Sequence, residues 1–79
     1  MSKKNIEIEV KKIISKCFNF EIKNINNATT SKDIKKWDSI GQIRLILMVE
    51  NKFKIKVNQK KYGELFSLKS FVDYISRFK

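Results

Sequence analysis

A chain of 79 residues with 42% hydrophobic and 33% charged residues has the composition of a folded protein, and is short enough for one domain, residues 1–79, with a modest core. So small a core cannot enclose a large catalytic cleft, and the absence of histidine removes Ser-His-Asp and Cys-His arrangements, HExxH metal sites and the commonest general base near neutral pH, so no enzymatic activity of its own is expected. The formal charge of +10 points either to an anionic partner (nucleic acid, membrane surface or acidic protein) or to the Lys, Asn and Ile bias of an AT-rich genome, since almost every basic residue is Lys rather than the Arg that base readout favours.

The opening "MSKKNIEIEV" has no apolar signal region, and no apolar run approaches the ~20 residues of a membrane span, so a cytoplasmic protein is expected. "NIEIEV" alternates like a strand, while Ile6, Val10, Ile13, Ile14 and Cys17 recur at helical spacing; the helical reading covers more residues and takes precedence. Cys17 has no second cysteine for a disulfide or a cysteine-based zinc site, and its place on that stripe makes it a buried small hydrophobe. Residues 18 to 38 are polar and irregular and predict a long loop pinned to the core by Phe20, Ile22, Ile25, Ile34 and Trp37.

A strong helix is predicted over residues 39–53, with Ile40, Ile43, Ile46, Leu47 and Phe53 on one stripe and Leu45, Met48 and Val49 widening it, as in a central helix. "KFKIKV" then alternates, and its pairing with residues 6–10 gives a rival α+β reading, ranked second because a two-stranded sheet is marginal. A short helical turn over residues 59–65 follows. Ser67 is the N-cap of a last helix with Leu68, Phe71, Val72, Ile75 and Phe78 on one face. The fold class is therefore all-α: a small helical bundle of three main helices plus one short helix, with a long loop between the first two.

Ser39 opens the 39–53 helix. Ser39-Ile40-Gly41-Gln42 fits a capping box, with Asp38 as the alternative cap. An exposed serine at a helix start could equally be a chemical handle for another enzyme. Gly41, costly inside a helix, provides either close packing against the loop or clearance for a partner.

The stretch "WDSIGQIRLILMVENKFKIKV" resembles the central motif of acyl and peptidyl carrier proteins, in which Asp-Ser-Leu or Asp-Ser-Ile opens the second helix and an acid-containing end leads to Phe-x-Ile-x-Ile/Val. "SKDIKKWDSI" is similar to that family's Asp-Leu-Gly-x-Asp-Ser-Leu approach, with Asp33-Ile34 for its Asp-Leu, and "SLKSFVDYISRF" resembles its closing helix. The likeness covers most of the chain and implies an acyl-carrier-like bundle. It implies that Ser39 carries a 4'-phosphopantetheine arm, delivered from coenzyme A by a phosphopantetheinyl transferase (holo-acyl-carrier-protein synthase), whose thiol holds an acyl or aminoacyl group as a thioester. It further implies that Asp38 takes part in transferase recognition, and that Ile40 partly packs and partly meets the arm or a partner. An activating ligase for acyl or aminoacyl groups and acyltransferase or synthase enzymes are the implied partners, with no nucleic acid, no membrane span and a monomeric state.

The chain departs from that family in charge. Glu50 keeps one acid, but Arg44 and Asn51 occupy usually acidic positions, and the third-helix region offers Asn58, Gln59, Lys60 and Lys61. Because charge complementarity governs encounter, the expectation is a specialised carrier rather than the bulk fatty-acid carrier, with a dedicated ligase or transferase that presents an acidic surface to Lys52, Lys54, Lys56, Lys60 and Lys61, and with Arg44 and Glu50 also partner-binding. The alternative is a small basic helical module that binds nucleic acid or protein, with Ser39 only a helix cap.

Overall fold

The computed structural model describes residues 2–79. Helix α1 spans Lys3–Phe18, α2 Ser39–Phe53 and α3 Leu68–Ser76, with single 3₁₀ turns at Ile22–Asn24, Ser31–Asp33 and Gln59–Lys61. The all-α expectation holds, and no strand occurs among the described residues: residues 6–10 lie within α1, and 53–57 close α2 and run on as irregular chain.

Each helix is delimited by side-chain chemistry at its ends. Ser2 Oγ accepts the Asn5 amide at 3.1 Å to start α1, which ends at Asn19 in the left-handed region (φ 53°), where asparagine is tolerated. Ser67 Oγ accepts the Ser70 amide at 3.0 Å and Ser70 Oγ accepts the Ser67 amide at 3.1 Å, a reciprocal box at the start of α3. α1 packs against both α2 and α3, so α1 is the central helix, not the 39–53 helix as its apolar composition suggested.

The core holds Ile6, Val10 and Ile14 of α1, Leu45, Ile46 and Val49 of α2, and Leu68, Phe71 and Ile75 of α3, all fully buried. Position 18, not 17, completes the inward face of α1: Phe18 is 4% exposed, whereas Cys17 is only half-buried. α2 carries more apolar side chains than its neighbours can cover, so Ile40, Ile43 and Leu47 face outward. Phe78, placed by periodicity on the buried face of α3, lies beyond the helix and is exposed.

The loop of residues 19–38 is pinned as expected by Ile25, Ile34 and Trp37, with Phe20 partly buried, but Ile22 is exposed on its 3₁₀ turn. Trp37 stacks on Phe18 with centroids 5.6 Å apart and meets Phe71 at 6.3 Å, joining loop, α1 and α3. Backbone pairing adds a second fastening: the Ser31 amide donates to Phe66 O at 2.8 Å and the Leu68 amide to Thr29 O at 3.1 Å. A loop this long persists in one conformation because its apolar residues are buried and its backbone groups are paired.

Candidate functional site

Helix α2 begins where the Trp37-anchored loop delivers the chain. Asp38 is extended (φ −100°) and is the N-cap: its Oδ1 accepts the Gly41 amide at 2.8 Å, and its carbonyl accepts the Gln42 amide at 2.8 Å. The expected capping box of Ser39 with Gln42 does not form. Ser39 occupies the first helical position, exposed, and its hydroxyl makes no hydrogen bond among the described residues. The cap is thus provided one residue earlier, leaving the serine hydroxyl outside the local network.

Gln42 turns inward instead of back toward the cap. It is 3% exposed, accepts the Trp37 Nε1–H at 2.6 Å and donates from Nε2 to Tyr62 O at 2.8 Å and to Leu65 O at 2.7 Å. A buried amide satisfied on both ends ties the start of α2 to the loop and to the chain entering α3. Nothing in the local pattern signalled this role, because its partners lie on segments distant in sequence.

Gly41 is buried, and a Cβ there would collide with the Lys36 carbonyl and stand 2.8 Å from Phe18 Cε1. Close packing against the loop therefore accounts for the glycine. That approach also shapes a surface pocket of about 250 Å³ lined by Cys17, Phe18, Lys36, Asp38, Ile40, Gly41 and Arg44. Sequence reasoning missed Cys17 and Lys36 as its neighbours; the glycine's demand for a close approach was the one available signal. Burial raises the pKa of the Cys17 thiol, opposed by the nearby Arg44 guanidinium, so the thiol is protonated at neutral pH and a weak nucleophile.

Of the other predicted residues, Ile40 is 73% exposed and does not pack into the core, and Arg44 is exposed beside the same pocket. Glu50 lies near the far end of α2, where its Oε2 accepts the Val57 amide at 2.7 Å. Lys52 reaches Glu9 on α1 at 3.4 Å, Lys61 pairs with Glu64 at 3.4 Å, and Lys60 is exposed on the 3₁₀ turn after α2. The structure thus brings Asp38, Ile40 and Arg44 together at one pocket, whose lining does not include Ser39, and sets Glu50, Lys52, Lys60 and Lys61 apart from them.

An exposed hydroxyl at the positive end of a helix suits attachment of an anionic group such as a phosphodiester. Among the described residues no acid, histidine or lysine engages that hydroxyl as a base, so none of them activates it. Among the described residues no group of histidine, cysteine, aspartate and glutamate is arranged to hold a metal ion, and no helix is long and apolar enough to cross a membrane.

No protein-family model matches the chain. A curated relative, the acyl carrier protein of Buchnera aphidicola subsp. Schizaphis graminum (strain Sg), is 32% identical to it over 72 residues, which cover 91% of each chain. At that identity and coverage, the chain belongs to the acyl carrier protein family.

Proposed function

We propose that this protein is a one-domain carrier that holds acyl or aminoacyl intermediates as thioesters on a 4'-phosphopantetheine arm attached to Ser39. The observation that carries the reading is the division of labour at the start of α2, where Asp38 caps the helix and Ser39 remains exposed with its hydroxyl free of hydrogen bonds among the described residues. In the attachment, Ser39 Oγ forms a new bond to the phosphorus of coenzyme A that bears pantetheine. The bond from that phosphorus to the adenosine bisphosphate breaks, and the serine proton passes to a base of the transferase, because this chain offers none. The exposed Asp38 and Ile40 are the surface that the transferase meets, and the thiol of the arm, when bound, supplies the thioester chemistry. The protein acts in the cytoplasm, as a substrate and partner of enzymes.

The basic surface supports a specialised biosynthetic route rather than bulk fatty-acid synthesis. The transferase, an activating ligase for acyl or aminoacyl groups, and the acyltransferases or synthases that follow present acidic surfaces to it. Arg44, Lys54, Lys56 and Lys60 are exposed and contribute most. Lys52 and Lys61 must first leave Glu9 and Glu64, while Glu50 is committed to the Val57 amide. Incubation with coenzyme A and a broad-specificity phosphopantetheinyl transferase, followed by intact mass measurement, tests the attachment: the protein gains one phosphopantetheine and its Ser39→Ala variant gains none. No mass gain alongside a control carrier that is modified overturns the reading. Exchange of Lys54, Lys56 and Lys60 for glutamate tests the surface through loss of loading by the dedicated ligase.

A further inference from the structure

Residues three and four apart are neighbours on a helix, so the side chains that flank Ser39 one turn along α2 are Gln42 and Ile43. They lead in opposite directions. Ile43 is 51% exposed and passes outward to Leu47, which is 56% exposed, whereas Gln42 is buried and passes inward to Ile46, fully buried one turn further on. A group attached to Ser39 therefore has an open apolar ridge on one hand and the Gln42 amide on the other.

The inward way is barred by hydrogen bonds. Gln42 Oε1 accepts the Trp37 Nε1–H, and Gln42 Nε2 donates to the carbonyls of Tyr62 and Leu65, so one side chain ties α2 to the loop before it and to the chain leading into α3. Passage between α2 and residues 62–65 would part these bonds and leave buried polar groups unpaired, a loss that an entering hydrocarbon has no atoms to repair. Behind the amide the space is filled: Leu45, Ile46, Leu68, Phe71 and Ile75 are fully buried, and the Phe71 ring meets Trp37 at 6.3 Å. An interior packed in this way takes in further methylene groups only by displacing those already there.

We infer that Gln42 is a specificity-determining residue that keeps the cargo of this carrier outside the helix bundle, and that the cargo belongs to the class that tolerates water: short acyl groups, or acyl groups with polar atoms such as aminoacyl, rather than long fatty chains. The inference rests on the reading of Ser39 as the attachment point. The cost of leaving a hydrocarbon chain in water grows with each methylene, so a carrier of long chains needs a place to bury them. The ridge of Ile43 and Leu47 covers a group from one side only and leaves a long chain in solvent.

The test compares acetyl and octanoyl forms of the protein, prepared from acetyl- and octanoyl-coenzyme A with a broad-specificity phosphopantetheinyl transferase. Intact mass confirms each attachment; an absent mass gain is a failure of the carrier reading and is seen before the comparison begins. Urea unfolding and amide NMR spectra are then recorded for both forms. The octanoyl form is expected to be no more stable than the acetyl form, with the amide signals of Ile46, Leu68 and Phe71 at the same positions in the two spectra. A higher urea midpoint for the octanoyl form, or displaced signals at these residues, means that the chain has entered the bundle and overturns the inference. Gln42→Ala, shown to be folded by circular dichroism, opens the way inward, so that its octanoyl form acquires the higher midpoint. Trp37→Phe, which frees Gln42 Oε1 and keeps an aromatic ring between Phe18 and Phe71, takes its place if Gln42→Ala does not fold. Equal midpoints for the acetyl and octanoyl forms of the folded variant overturn the role given to Gln42.

Discussion

Serine marks three helix starts, and while Ser2 and Ser67 both cap with their hydroxyls, Ser39 and Ser67 are used in opposite ways. Ser67 precedes α3, accepts the Ser70 amide, and has its own amide bonded by Ser70 Oγ, so its hydroxyl is consumed by the fold. Ser39 lies one position inside α2, because Asp38 has taken the capping role, and its hydroxyl is left over. A difference of one residue in register separates a structural serine from one available to a modifying enzyme. A serine at a helix start therefore becomes a candidate for modification through the presence of another cap beside it, not through its own position.

The largest expected effect is all-or-none and concerns loading. Ser39→Ala abolishes the phosphopantetheine mass gain and changes thermal stability by no more than about 0.5 kcal/mol, as at an exposed site without partners. Ser67→Ala retains the full mass gain. The comparison breaks if Ser67→Ala is the variant that fails to load while still folded, as judged by circular dichroism and intact mass.

Next in size is Gln42→Ala. Removing this amide strands the Trp37 indole N–H and the carbonyls of Tyr62 and Leu65 in a buried site and opens a void. The expected loss is about 2–4 kcal/mol, a large share of the roughly 4–12 kcal/mol available to a chain of this length. Urea unfolding measures it. A loss below about 1 kcal/mol would show that water satisfies these groups and that the start of α2 is not held by Gln42.

How much of this could be read from the sequence differs between the same two regions. The α3 start was legible in full, since Ser67 followed by Leu68, Phe71, Val72 and Ile75 at helical spacing contains both the cap and the buried face. The existence of α2 was equally legible, but not its orientation. So many apolar residues surround it that periodicity alone could not say that Leu45, Val49 and Phe53 turn inward while Ile40, Ile43 and Leu47 stay out. The Asp38-Ser39 pair allowed two registers for the cap, and the choice depends on how Trp37, stacked on Phe18, presents the chain. Cys17, expected in the core, is displaced from it for a related reason: Phe18 fills the space between the loop and α1, leaving the thiol at the pocket edge. Tertiary contacts decided these points, and local pattern contains little of them.

Ser67→Ala has a smaller effect. Loss of one cap hydrogen bond at α3, with Ser70 Oγ still able to reach back, is expected to cost about 1 kcal/mol. Asp38→Ala should cost a similar amount, since it removes the corresponding bond at α2. Equal losses, measured side by side in urea, would sharpen the comparison by showing that Asp38 is to α2 what Ser67 is to α3. A loss at Asp38 near zero would mean that Ser39 can move back into the capping role, and with it the hydroxyl would become engaged.

The smallest effect on stability, and the most informative about recognition, is expected from Asp38→Asn. Asparagine caps as well as aspartate, so the bond to the Gly41 amide persists and only the negative charge at the positive end of α2 is lost. That charge is worth about 0.3–1 kcal/mol at an exposed helix start and is screened by salt, so the two proteins should approach one another in stability as ionic strength rises. Loading separates the two functions of the residue. If the transferase recognises the carboxylate, Asp38→Asn loads several-fold more slowly at unchanged fold. If the transferase needs only a correctly started helix, Asp38→Asn loads at the parent rate and Asp38→Ala does not. In the first case the acid has two functions at one position, capping α2 and marking Ser39 for its enzyme. In the second, the free hydroxyl of Ser39 on a well-capped helix is sufficient to distinguish it from Ser67.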